Sequence, residues 1–429
     1  MKFTAVGDML IQRRIQADFE GFAELGPFIK QGDASFFNLE TTLNREAEAC
    51  ASQFSGGTYL RADPKVLGDI KSFGFNMTTF NNNHALDFFY TGFESTLKAL
   101  DDSGMVHAGA GRNLGEASAP RYLETSNGRV ALISVSLSFS PSMMAGEQTP
   151  RIPGRPGING IRIETHVELP AEEFEHIKRI ADITHINVAK EISRQEGYSI
   201  PLEENVCELG DLRFILGDTP RVVMSAPEKD IHRVMRAIRE AQLQADYIII
   251  SVHSHQLSGT DRENPSEFLK DFAHRCIDAG AHAIVGHGPH LLRPIEIYKD
   301  CPIFYSLGDF VLQLYNIEVA PEEFYTRFGL PFTSTVRKLL QTRSKNFTVG
   351  LMTDLRMFLS VIPCWETEGT KLKKLTLMPI EMKMTGHKSE IGLPRRSYDP
   401  NIAAYLAEMC EPYGTKISFG EDGLITCEW

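Results

Sequence analysis

Residues 281–309 read AHAIVGHGPHLLRPIEIYKDCPIFYSLGD, and this stretch decides how the chain is read. It opens with Ala283-Ile284-Val285, an apolar run with the composition of a buried strand. The run breaks at Gly286 into His287-Gly288-Pro289-His290. Two imidazoles therefore stand on a stiff Gly/Pro turn at the end of a core strand. Such a turn holds ligand groups with little freedom to lose. Two further β-rich runs, 294–298 and 302–305, follow. The second ends in Ser306-Leu307-Gly308-Asp309, another polar group at a strand end.

The same event recurs along the chain. A strand over 2–6 closes at Gly7-Asp8, and an apolar run over 34–39 ends at Glu40. A strand over 77–80 ends in Asn81-Asn82-Asn83-His84, with Asp87 three residues on. The run DYIIISV, 246–252, ends at His253-Ser254-His255. Helical spacing lies between these runs, over 64–73, 91–103, 228–243 and 265–279. Alternating strand and helix argues for an α/β core. In such a sheet the carboxyl ends of the strands share one edge, where ligands usually bind. Asp8, Glu40, Asn83, His84, His253, His255, His287, His290 and Asp309 are thus expected together. Imidazole and carboxylate suit Zn, Mn, Fe, Co or Ni, and the Asn oxygen tilts towards harder ions such as Ca; mixed N/O ligands do not separate Mn, Zn, Fe and Ca. The set exceeds one tetrahedral ion, so two divalent ions with Glu40 as bridge are expected.

The chain has 429 residues, with 42% apolar and 23% charged residues, which is ordinary globular composition. A net charge of −12 argues against a nucleic-acid surface. No run of 18 apolar residues predicts a membrane span, and the N-terminus lacks signal-peptide features. Seven scattered cysteines without a C-x-x-C pair read as reduced packing thiols in a cytoplasmic protein. The glycines at 109, 111 and 115 do not make a dinucleotide fingerprint, and no Walker loop or G-x-S-x-G elbow occurs.

The expected organisation has a first half of the core over 1–139 and an inserted lid or substrate region over 140–226. The second half of the core, with the metal-site motifs, spans 227–314. A second insertion spans 315–346, and strands with a closing helix over 347–429 complete the core. One long amphipathic helix is predicted over 170–197, and an antiparallel pair over 347–361 and 371–384. Arg151, Arg155 and Arg162, in or beside the first insertion, are candidates for holding substrate carboxylates.

The succession GDML, FNLE, NNHALD, VHSH, GHGPH and FYSLGDF resembles the CapA proteins, associated with poly-γ-glutamate capsule synthesis. The resemblance covers residues 1–135 and 227–312. CapA proteins belong to the calcineurin-like metallophosphoesterase superfamily, which implies a four-layer αββα sandwich with an inserted lid region. Position by position it implies Asp8, Glu40, Asn83, His253 and His290 as metal ligands, with His287 a further candidate. His84 would be the non-ligand histidine beside the metals, oriented by Asp87. Where superfamily phosphatases have D-x-H, this chain has Leu10 at the third position. Gly288 stands where relatives carry a histidine, and Asp309 replaces the usual Asn, adding an anionic group that can face substrate.

These readings converge on a metal-dependent hydrolase acting on an anionic peptide-like or phosphorylated small substrate. His84 would serve as proton donor, and His290 or His255 as the partner base. A second reading is proton transfer on a peptide, epimerisation or cyclisation, with Asp8 or a histidine as shuttle. A third is a non-catalytic partner in capsule assembly.

Overall fold

Strand Lys2–Leu10 is buried from Phe3 onward, and its place in the fold explains this. It is an inner strand of a ten-stranded sheet. On one side it pairs antiparallel with Leu359–Glu368, and on the other parallel with Ala34–Leu39. Its end also pairs in parallel with Asp309–Leu312. Met77–Thr79 and Val106–Ala108 extend the parallel side. Lys371–Met382, Ile425–Glu428 and Lys416–Phe419 extend the antiparallel side. The structure, a computed structural model, describes residues 1–55, 57–314 and 317–429.

A second, six-stranded sheet runs in the order Ile295–Tyr298, Cys301–Phe304, Ala283–His287, Tyr247–His253, Gly128–Ser136 and Arg121–Thr125. Its four central strands are parallel. Strands covered on both faces read as continuous apolar runs, which is why YIIIS and AIV show no alternation.

The two sheets pack face to face. Phe3 stacks on Tyr247 with ring centroids 4.1 Å apart. Trp365 Nε1–H donates to Tyr247 Oη at 3.1 Å, so the buried hydroxyl and indole satisfy each other. Phe36, Met77, Leu132, Ile249, Val285 and Phe304 fill the same core. The other face of the first sheet buries Phe37, Phe310 and Ile362 with residues of helices Gly21–Ile29, Val66–Phe73 and Phe89–Ser103. Helix Glu267–Asp278 buries Leu269, Phe272, Ala273 and Cys276 and lies against Ala283–His287. The layers are helix, sheet, sheet, helix, the expected αββα sandwich.

Residues 162–231 form a compact unit of their own. Strands Val206–Leu209, Leu212–Leu216, Glu164–Leu169 and Arg221–Ser225 make a four-stranded sheet, joined by helices Ala171–Thr184 and Val188–Gln195. The single helix expected over 170–197 is therefore two. His185 takes the left-handed conformation, φ 53°, and ends the first. Asn187 then donates to Glu208 O and accepts from Gly210 N–H, bonds that compete with helix continuation.

The strand expected over 347–361 begins only at Leu359. Before it lie 3-10 turns at Leu351–Thr353 and Leu355–Phe358, the second capped by Asp354, which accepts from Arg356 N–H at 3.1 Å. The expected second insertion carries helices Glu322–Arg327 and Val336–Arg343; its first residues, Tyr315 and Asn316, lie outside the described residues. The two strands at the C-terminal end have no counterpart in the sequence reading. Among the described residues no helix is long and apolar enough to cross a membrane.

Candidate metal centre

The two sheets bring their strand ends to one place. Asp8 lies in register with Asp309, and Asp8 N–H donates to Gly308 O at 3.0 Å. A Cβ on Gly7 would lie 1.8 Å from Gly308 O, so only glycine permits this approach. In the second sheet His253 is in register with His287.

The side chains then interlock. His287 Nδ1 is 3.3 Å and His253 Nδ1 3.7 Å from Asp8 Oδ1. The two imidazoles meet each other at 2.9 Å, and His287 Nε2 meets Ser251 Oγ at 2.7 Å. His253 Nε2 is 2.6 Å from Asn83 Oδ1 and 3.6 Å from Glu40 Oε1. His290 Nδ1 pairs with Asp309 Oδ1 at 3.0 Å and lies 3.9 Å from Glu40 Oε2. His84 Nε2 is 3.9 Å from Glu40 Oε1, while its Nδ1 meets Asp87 Oδ2 at 2.7 Å. Asp87 Oδ2 also accepts Leu60 N–H, which anchors the pair. His255 joins Glu40 and His253 in one ligand-capable group; Asp8, His253 and His287 form a second, and Asp8, His290 and Asp309 a third.

Carboxylate charge is concentrated here, among imidazoles. Asp8, Glu40 and Asp309 are wholly buried. Glu40 is pushed well above the ordinary carboxylate range, first by burial and then by Asp8, Asp309 and Asp87. Asp309 is pushed up to about 6 by burial, although His290 opposes the rise. Burial also works against Asp8, but the surrounding imidazoles outweigh it and hold the carboxyl low. Asn38 Nδ2 and Gly288 N–H add donations to Asp8 at 2.7 and 2.6 Å. Burial keeps His253 neutral and lowers His255 to about 3. His290 loses basicity to burial and regains more than that from Asp309 and Asp8.

A divalent cation fits this chemistry. Both oxygens of Glu40, Oδ2 of Asp309 and Nε2 of His255 are buried with no hydrogen-bond partner among the described residues. Unpartnered buried acceptors are costly, and neutral imidazole with carboxylate oxygen is a ligand set for such ions.

All nine strand-end residues anticipated from sequence are thus brought together. The arginines are not. Arg162 is committed to Asp230 through a two-pronged pair. Arg155 donates to Met144 O at 3.0 Å, and Arg151 is exposed beside the 149–152 turn. Neither Arg151 nor Arg155 makes a hydrogen bond or ion pair to the cluster among the described residues. The sequence reading missed Asn38 and Ser251. Each sits two residues before a site residue, on the same strand face, and a polar residue there within an apolar run is the signal that would have found them.

Fold and cluster together define an αββα protein with a buried carboxylate–imidazole centre that can hold a metal ion. The chain belongs to the bacterial capsule synthesis protein family PGA_cap, which matches residues 2–314. It is 31% identical over 427 residues to uncharacterized protein y4sH of Sinorhizobium fredii, covering 96% of this chain and 90% of that one. It is 24% identical over 320 residues to the capsule biosynthesis protein CapA of Bacillus anthracis, covering 72% and 59%. A crystal structure of a hypothetical protein from Thermus thermophilus aligns over 89% of this chain and 99% of that one, with TM-score 0.41 and 13% identity.

Proposed function

We propose that this protein is a divalent-metal-dependent hydrolase acting on an anionic peptide-like or phosphoester substrate. The observation that carries the reading is Glu40: a wholly buried carboxylate with no hydrogen-bond partner on either oxygen among the described residues, ringed by Asp8, His253, His84 and His290. Asp8, Glu40, Asn83, His253, His287 and His290 would hold the metal. Three overlapping ligand groups favour two ions over one. Bound ions supply a polarised substrate oxygen and an acidified water. The name of the Bacillus anthracis relative, a capsule biosynthesis protein, favours a substrate drawn from capsule synthesis.

The protein's own groups have separate tasks. Asp87 fixes the His84 ring through Nδ1 and leaves Nε2 facing the Glu40 side of the centre, where it donates a proton to the leaving group. His255, neutral through burial and without a hydrogen-bond partner at Nε2 among the described residues, accepts a proton. Asp309 steadies His290.

Those same two imidazoles favour a second reading, proton transfer at a peptide α-carbon without cleavage. One experiment separates them. The purified protein is analysed for bound metal, then incubated in heavy water with a γ-glutamyl peptide, a linear peptide and a phosphoester. Cleavage that is lost in Glu40→Gln supports the hydrolase. Deuterium at an α-carbon without cleavage overturns it in favour of the second reading. A protein that takes up no metal overturns both, and leaves a non-catalytic assembly partner.

A further inference from the structure

Two backbone ties bring Arg61 beside the centre. In a short parallel pair it lies in register with Thr42, two residues after Glu40. Leu60, the residue before it, donates its N–H at 2.8 Å to Asp87 Oδ2, the carboxylate that orients His84. Phe88, the residue after Asp87, sets its ring against the Arg61 guanidinium, 5.4 Å from carbon to centroid. The centre is sealed at Asp8, Glu40 and Asp309 and keeps slivers of exposed surface at Asn83, His84 and His290. Arg61 therefore stands on a side where the centre meets solvent.

Arg61 lines a recess with Gln12, Tyr59, Phe88, Glu318 and Val319. The other polar groups there are committed: the Gln12 side chain donates to Gln313 O, and Tyr59 Oη donates to Ser52 O at 2.6 Å. The Arg61 guanidinium has one ionic partner among the described residues, Glu318, at 3.6 Å. The pair is lopsided, with the Arg61 side chain 12% exposed and that of Glu318 67%. A nearly buried guanidinium stays charged and requires an anion. Glu318, largely in water, loses little by leaving, and an ion pair with so exposed a member holds weakly. With Glu318 in place the recess keeps about 20 Å³, room for a single water.

We infer that Arg61 anchors a carboxylate group of the substrate, and that Glu318 is the placeholder that substrate displaces. A guanidinium takes a carboxylate in a two-pronged bond, and the carboxylate of Glu318 already occupies the recess as a member of that class. The exchange is a swap of ion-pair partners and makes or breaks no covalent bond. The inference rests on the proposed function for the fate of the anchored molecule. It moves the anchor from Arg151 and Arg155 to the His84 side of the centre.

The test titrates γ-glutamylglutamate, and the same dipeptide with every carboxyl amidated, into full-length protein by calorimetry. Metal-loaded and metal-depleted protein are compared, with metal content measured for each variant. Glu318→Gln should bind the dipeptide about threefold to fivefold more tightly than wild type, the factor a weak ion pair sets. Arg61→Gln should bind it roughly tenfold more weakly or worse. Adding Glu318→Gln to that variant should bring no gain, since the placeholder then has nothing to occupy. The amidated dipeptide should show none of these changes. A pair that only braces the fold predicts that neither variant binds more tightly, so Glu318→Gln without a gain overturns the placeholder. Arg61→Gln that binds as tightly as wild type overturns the anchor, as does absence of binding in both wild type and Glu318→Gln. If Arg61→Gln does not fold, Arg61→Lys, which keeps the charge and loses the fork, takes its place. A wild type that holds no metal overturns the proposed function, while the metal-depleted titrations still judge the anchor.

Discussion

Gly288 shows how a single residue sets the centre. Its φ is 118°, and a Cβ there would lie 3.0 Å from Ser254 N and 3.1 Å from Ser254 O. Its N–H also donates to Asp8. This position is therefore closed to a side chain by backbone conformation and space alike. Gly288→Ala should destabilise the protein by about 1–3 kcal/mol and weaken metal retention, read by denaturant unfolding and elemental analysis. Unchanged stability would show that the turn can relax. Glu40→Gln should act in two directions. In metal-free protein it removes a buried, strained carboxylate and should raise the melting temperature; with metal added it should abolish the gain that wild type shows. His282 offers a pH test away from the centre. Its Nδ1 accepts Ile248 N–H at 3.0 Å, and burial lowers it to about 4. A histidine held neutral in the fold contributes stability above its unfolded value near 6.5 that is lost as pH falls through about 4. His282→Asn, which keeps an acceptor in place, should lose about 2 °C less than wild type between pH 7 and pH 4.5 in thermal melts.

At the scale of elements, the strand ends were legible because buried parallel strands announce themselves as apolar runs, and a polar residue directly after one is conspicuous. Helix limits were less so. The periodicity of Phe174, Ile177, Ile180 and Ile183 carries no sign of a stop, yet His185 breaks the helix in a left-handed turn. Nothing in that periodicity reports the bonds of Asn187 to the 208–210 hairpin. A non-glycine residue in this conformation is mildly strained, so His185→Gly should stabilise the 162–231 unit by about 0.5–1 kcal/mol in denaturant unfolding. Destabilisation would mean that the imidazole makes a contribution of its own. The late start of strand Leu359–Glu368 has the same kind of cause, a local cap by Asp354 that overrides β propensity.

For the whole molecule, the buried carboxylates couple folding to metal and pH. Asp309 at about 6 and the raised Glu40 are both acids whose folded values exceed their unfolded ones. Such groups contribute stability below their unfolded values, near 4, that is lost as pH rises through the folded values. Metal-free protein therefore loses stability from these groups between about pH 4 and pH 6 and beyond, and a bound cation offsets that loss. The rise in melting temperature on adding Mn²⁺ should be small at pH 5 and larger at pH 7.5. An equal or larger rise at pH 5 would count against a carboxylate-lined metal site.

By itself the sequence determined the α/β class, the two histidines on the turn at 287–290 and the identity of the other groups at strand ends. Apolar period, Gly/Pro punctuation and residue type are local properties, and a local reading recovers them. The tertiary structure alone decided which atoms meet. It set Asn38 and the Gly288 amide on Asp8, engaged both nitrogens of His287 with Ser251 and His253, and tied Arg155 and Arg162 to partners within the chain. Among the described residues it also left the Arg293 fork buried without a hydrogen-bond partner. Those outcomes depend on sheet register and on the approach of segments up to 280 residues apart, which no local pattern encodes.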